Sequence, residues 1–362
     1  MRTAFASAAA GLLLAGSPIG ARAASLVFDL SFIPGTSATE QAAFVTAAGW
    51  WSALFNDDVT VKLTVGTGAL GPNILAQAGS RSIDYSYADV RNALVADASS
   101  AADSIAVANL AAGSSVGMLI NRTRDNPNGS GSATPYVDND GGANNTTLSL
   151  NAANARALGL GFGIGGVAGA CADCDAYIEF SNSFAWDFDS NNGIDANAYD
   201  FVGIAAHEIG HALGFVSGVD VLDYNSPPNN GPFRADQFTF VNTLDLFRFS
   251  DLSRASGVMD WTADARDKYF SIDGGLTAGP LFSTGETFGD GRQASHWKDN
   301  LGIGIMDPTA DLGELLTISG YDFTAFDVIG WNVNRQAVPE PGTLALLGLG
   351  LAGLAAARRR KQ

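Results

Sequence analysis

The sequence predicts an α+β fold, and three observations lead to it. Stretches of alternating apolar and polar residues, "SLVFDLSFI" (25–33) and "VTVKLTVG" (59–66), have the period of half-buried strands. Between and after them, "TSATEQAAFVTAAGWWSALF" (36–55) and "YADVRNALVADAS" (87–99) carry helix formers and apolar residues at helical spacing. The resulting order, β-α-β-α-β and then a further helix, shows no repeat of fixed period. A chain of 362 residues, 46% hydrophobic and 16% charged, can bury a sizeable core.

The N-terminal 23 residues place Arg2, an apolar run from Ala4 to Ala15, and small residues at Ala21 and Ala23 in the order of a signal peptide, with signal peptidase cutting after Ala23. An exported chain is expected. In the first helix, Ser37 and Thr39 supply the start signal, and Trp50 and Trp51 are expected to pack rather than to form a site. From Thr123 to Asn154 the density of Asn, Gly, Asp, Ser and Thr predicts loop, with a strand at most near its end. "AYIEFSNSFAWDF" (176–188) is the strongest strand before the next helix. Cys171 and Cys174 are the only cysteines; in an exported chain a local disulfide is the favoured reading over a redox pair.

That next helix holds "AAHEIGHALGFVSGVD" (205–220). Asp200 is placed to cap it, and Val202, Ala206, Ile209, Leu213 and Val216 give it an apolar stripe. His207 and His211, four apart, share a face and can reach one metal, while Glu208 is placed to hold a water. Zinc lowers the pKa of water from about 15.7 to about 7, and a neighbouring carboxylate can then take the proton. The compact motif H-E-x-x-H-x-x-G-x-x-H would place a third ligand at position 217, which is Ser217 here. The one other histidine, His296 in "RQASHWKDNLGIGIMDP", is the favoured third ligand; Asp220 or Asp223 is the rival, or else orients the ligands.

These segments resemble two known families. "HEIGHALGF", a long insertion, then "SHW" and "GIMDP" are similar to the leishmanolysin-type branch of the metzincin metalloproteases. The resemblance implies a two-lobed zinc protease domain over about 24–335, with a mixed β-sheet, an active-site helix and a Met-turn. The lobes would divide near Gly218, upper 24–218 and lower 219–335. It implies His207, His211 and His296 as zinc ligands, Glu208 as general base, Gly214 as the turn ending the helix, and Met306 beneath the metal. "DFVGIAAHEIGHALGFVSGVD" and "TAFDVIGWNV" further resemble exported bacterial metalloproteases. The chain departs from the family in having Asp307 and Pro308 after Met306, so no M-x-Y tyrosine is available, and no separate propeptide is evident.

The last residues, 338–362, combine Pro-Glu-Pro, an apolar run from Gly342 to Ala357 and the cluster Arg358, Arg359, Arg360, Lys361. This pattern resembles a PEP-CTERM sorting signal, which implies an exosortase-type sorting enzyme as partner. The run is short for a core of about 30 Å at about 1.5 Å per residue, so a transient membrane anchor is expected before release to the cell surface or exterior.

One weaker signal remains. Asp187, Asp189, Asn191 and Asp195 alternate around a glycine as in a calcium loop, but the bidentate position is Ala198, which favours an acidic turn. The net charge of −17, with four lysines, argues against a nucleic-acid partner. The expected function is an exported zinc endopeptidase acting on a protein or peptide that lies along an edge strand, taken as Ala176–Ser183. The alternative is a surface or extracellular-matrix binding protein that keeps the fold. Glu208 favours the enzyme, since a binding module needs no base.

Overall fold

The computed structural model describes residues 25–161, 165–226 and 233–334. The signal peptide expected over 1–23 and the sorting tail expected over 338–362 lie outside the described residues.

The N-terminal half runs β1 (Val27–Phe32), α1 (Ala38–Leu54), β2 (Thr60–Gly68), β3 (Ala76–Ser80), β4 (Ser82–Ser86), α2 (Tyr87–Asp97), α3 (Ala101–Asn109), β5 (Met118–Ile120), β6 (Tyr136–Asp138), α4 (Ala143–Thr146), β7 (Thr147–Asn151), α5 (Ala152–Ala157) and β8 (Ala176–Ser181). A short parallel pair follows, β9 (Trp186–Asp187) with β10 (Tyr199–Asp200), leading into α6 (Phe201–Ala212) and α7 (Val219–Asn225). The rest comprises β11 (Arg248–Phe249), α8 (Asp251–Ser256), β12 (Met259–Asp260), β13 (Lys268–Phe270), β14 (Leu281–Phe282) and α9 (Gly320–Val328). The mixture of helices with several separate sheets is α+β.

The main sheet has the order β1-β2-β8-β3; the first three strands are parallel and β3 runs antiparallel to β8. α1 starts with a capping box, in which the Glu40 N–H donates to Ser37 Oγ and the Ser37 N–H donates to Glu40 Oε2. It buries Phe44, Ala47, Ala48 and Trp51, and the Trp51 indole donates to the carbonyl of Ala206 at 2.9 Å, which ties α1 to α6. Trp51 is thus core, as expected of an aromatic on that face.

Two expectations are corrected. The strand over Ala176–Ser183 is not an edge: β8 is paired by β2 on one side and β3 on the other, and β3 is the edge on that side, with β1 at the other. β3 escaped notice because "AQAGS" has no β-branched or aromatic residue to mark it. The segment 123–154 is loop over its first part and has the expected strand near its end, β7, but it also holds β6, α4 and the start of α5, which were not expected. Its asparagines read as polar loop because carbonyls that accept from their amides are brought to them by the fold. Asn145, fully buried, donates to the carbonyls of Val116 and Asp138, and Asn154 donates to that of Ile329.

The lobe boundary expected near Gly218 is crossed by shared packing. One apolar cluster runs from Leu26 to Trp331, and β12 pairs in parallel with β5 across the expected boundary. The last described residues return to the first helix: Val333 bridges Phe55, Trp331 stacks on Phe55, and Phe326 packs edge-on against Trp51. Four large aromatics gain more by meeting in one core than by capping two.

Candidate metal centre

α6 forms because each local signal agrees. Asp200 caps it, accepting from the Gly203 N–H at 2.9 Å, and the same carboxylate accepts from Leu316 N and Ser190 Oγ. Nearly every side chain of the helix is buried, so its axis is held on all sides. It ends in a Schellman turn: the Phe215 N–H reaches the Gly210 carbonyl, and the N–H of Gly214, at φ +117°, reaches that of His211.

On this helix His207 and His211 project together, and His296 meets them from a loop 85 residues beyond His211. The three imidazoles are tied from behind. His207 Nδ1 lies 2.7 Å from the carbonyl of Ile305, His211 Nδ1 lies 2.7 Å from that of Phe215, and His296 Nδ1 lies 3.2 Å from that of Gln293. A carbonyl can only accept, so each Nδ1 carries the proton and each Nε2 keeps a bare lone pair. Nε2 of His211 is 3.0 Å from Nε2 of both His207 and His296. Neutral nitrogens have no proton to place in those gaps, and their lone pairs repel; a cation among them turns repulsion into coordination. The donor set suits zinc, whose bonds of about 2.0–2.1 Å in tetrahedral geometry set ligand nitrogens about 3.3 Å apart.

The electrostatics agree. Burial pushes His207 down to about 4 and, with the neighbouring imidazole, His211 down to about 3, while His296 is held well below the usual range by burial and by both neighbours. All three are neutral at neutral pH, the form that binds a metal. Burial pushes Glu208 up to about 8, which a nearby cation opposes by favouring the carboxylate. Met306 is fully buried against α6, where its sulfur fills the space above Gly210, and its carbonyl accepts from the Trp297 N–H at 2.9 Å.

The site opens into a cleft of about 830 Å³ lined by His207, Glu208, His211 and His296, with β3 and the preceding residues 73–75 among its walls. Ser217, at the position of the compact motif's third ligand, has another task. Its N–H donates to Ser295 Oγ at 2.8 Å and its hydroxyl donates to Asp245, joining the helix to the loop of His296. Neither Asp220 nor Asp223 joins the cluster; both accept from backbone N–H groups of the loop that carries His296.

The other singled-out residues lie elsewhere. Cys171 and Cys174 are joined as a disulfide. Asp187 accepts from the N–H groups of Asp189 and Asp195, and Asp189 from that of Asn191, so in this turn the carboxylates are engaged with the turn's own backbone. Among the described residues, the three histidines are the one cluster of His, Cys, Asp or Glu close enough to share a metal. Three supporting residues gave no sequence signal. Asn151 donates to the carbonyl of His211 at 2.7 Å, Ser295 ties the loop, and the buried Arg248 donates to the carbonyls of Ser283 and Ala294.

Residues 337–361 match the PEP-CTERM protein-sorting motif. The C-terminus carries a sorting tag. That tag marks an exported bacterial protein and implies recognition by an exosortase-type sorting enzyme. No curated protein and no solved structure matches the tagged chain. Among its described residues, no helix is long and apolar enough to cross a membrane.

Proposed function

We propose that this protein is an exported zinc-dependent endopeptidase, in keeping with its resemblance to the metzincins. One observation carries the reading: three neutral imidazoles, each fixed from behind through Nδ1, turn their Nε2 lone pairs onto one point beside Glu208 in an open cleft. His207, His211 and His296 hold the metal, and Met306 supports the helix that carries two of them. Zinc supplies Lewis acidity toward a substrate carbonyl and lowers the pKa of water. Glu208 takes the proton of the attacking water and passes it to the leaving amine.

The edge strand orients the peptide. The N–H of Ser181 donates to the carbonyl of Leu75, so in the antiparallel register Gln77 and Gly79 face β8 while Ala76 and Ala78 direct their backbone groups outward. An extended peptide can pair with those groups irrespective of most side chains. In this reading signal peptidase removes the N-terminal signal, and the tail anchors the chain transiently before it reaches the cell surface or the exterior. Calcium has no part in this reading; in the turn at 187–195, Asp187 and Asp189 accept from the turn's own backbone.

The test is zinc content together with cleavage of casein or gelatin, for wild type and Glu208→Ala. Zinc in both, with activity lowered at least about 10²-fold only in the variant, is the expected result. Stoichiometric zinc with no cleavage in either protein would move the assignment toward the surface-binding alternative.

A further inference from the structure

We infer that the short helix α7 is the platform that sets the third metal ligand, with Asp220 and Asp223 as positioning residues. The inference rests on the zinc reading above and deepens it. A ligand that arrives 85 residues after His211 cannot be placed by helix geometry, so something must fix its loop relative to α6.

Asp220 and Asp223 are three apart on α7 and turn the same way. Asp223 accepts from the N–H groups of Thr287 at 2.7 Å and Phe288 at 2.9 Å. Asp220 accepts from Ala294 N at 2.5 Å, from Ser295 N at 3.2 Å and from Ser295 Oγ. The two carboxylates therefore grip the tip of the hairpin, at Thr287 and Phe288, and its second arm, at Ala294 and Ser295, which leads to His296; the hairpin closes through the Gly285 N–H to Arg292 carbonyl bond at 2.9 Å. Gly285, at φ +130°, is where the hairpin meets Asp223; a Cβ there would lie 2.6 Å from its Oδ1. From the other side, the fully buried Arg248 donates to the carbonyls of Ser283 and Ala294, and its charge balances Asp220 and Asp245.

The need for this grip is visible at the ligand. The backbone tie of His296 is 3.2 Å long, against 2.7 Å for each of the two helical histidines, so its ring relies more on the loop. α7 begins seven residues after the end of α6, and Ser217 between them also bonds Ser295. Helix, turn, α7 and hairpin thus form a closed circuit, which does by tertiary contact what three residues do in the compact motif.

The experiment measures zinc affinity of the full chain by chelator competition, together with the visible spectrum of the cobalt-loaded protein. The variants are Asp220→Asn, Asp223→Asn, Ser295→Ala and His296→Ala. Asp175→Asn serves as a control, because Asp175 also holds backbone and an arginine but directly precedes β8 and bonds Lys62 and Arg156, not the loop of His296. Loss of an outer partner of a metal ligand costs about 10–100-fold in affinity. Asp220→Asn is expected to lose that much and to change the cobalt spectrum, with a smaller loss for Asp223→Asn and none for Asp175→Asn. Should Asp220→Asn not fold, Ser295→Ala decides, with a few-fold loss expected. Wild-type affinity and an unchanged cobalt spectrum in the folded Asp220 or Ser295 variant would overturn the inference alone. Zinc affinity of wild type no greater than that of His296→Ala would overturn the zinc reading and the inference with it.

Discussion

Gly210 sits inside α6, one residue before His211, where a larger residue would ordinarily favour the helix. Its reason is space. A Cβ built there would lie 2.5 Å from the sulfur of Met306, which is fully buried, and 3.4 Å from the ring of Trp51. The glycine therefore lets the Met306 turn approach the helix, and through the carbonyl of Ile305 the same turn fixes the ring of His207. Gly210→Ala is expected to cost about 1–3 kcal/mol through overpacking. In a Met306→Ala background the cost should shrink, and a double-mutant cycle read by denaturant unfolding measures the coupling. Additive effects would show that the contact is not what the glycine is for.

At the scale of elements, the two helical histidines and the edge strand do different work. α6 supplies a fixed pair of imidazoles, because capping by Asp200, burial on all sides and the Schellman turn hold it in place. β3 supplies an open row of backbone groups beside the cleft. Proline at Ala78 removes an outward N–H while leaving the Gln77 and Gly79 bonds to β8 in place, as edge strands tolerate. One backbone hydrogen bond is worth about 0.5–1.5 kcal/mol, so Ala78→Pro should raise KM for peptide substrates about 3–10-fold with little change in kcat. An unchanged KM would place the substrate elsewhere in the cleft.

At the scale of the whole molecule, the segment after α9 is clasped through Asn332 to the loop that follows α1 and to the end of α2. Its backbone N–H donates to Asp57 at 3.0 Å, and its side chain donates to Asp97 at 2.8 Å and accepts from Ser99. Burial pushes Asp57 up to about 7 and Asp97 up to about 6, with the neighbouring acids Asp97 and Asp103 adding to the respective shifts. The sign follows from linkage. A carboxyl whose folded value lies above its unfolded one stabilises the fold fully below about pH 4, and that contribution is lost as pH rises through about 7. Asp57→Asn stays neutral throughout. The melting temperature of the variant minus that of wild type should therefore rise between about pH 5 and 8, by an amount on the order of 1 kcal/mol or about 2–4 °C. A difference that is flat with pH would show that Asp57 titrates at its ordinary value.

The sequence by itself determined what is local. The capping signal of Ser37, the alternation of Val27–Phe32, the cap of Asp200 and the four-residue spacing of His207 and His211 each depend on neighbours within a turn or two. The scarcity of histidine also singled out His296, which the structure brings to the other two. Only the tertiary structure decided which strand is the edge, because β3 has no β-forming side chains and takes its place from pairing with β8. The same holds for the buried asparagines read as loop, whose partners lie as far off as Ile329, and for the single core that spans the expected lobes. Asp220 and Asp223, which the sequence offered as rival ligands, instead accept hydrogen bonds from the backbone of the loop that carries His296, partners that only the tertiary structure brings to α7.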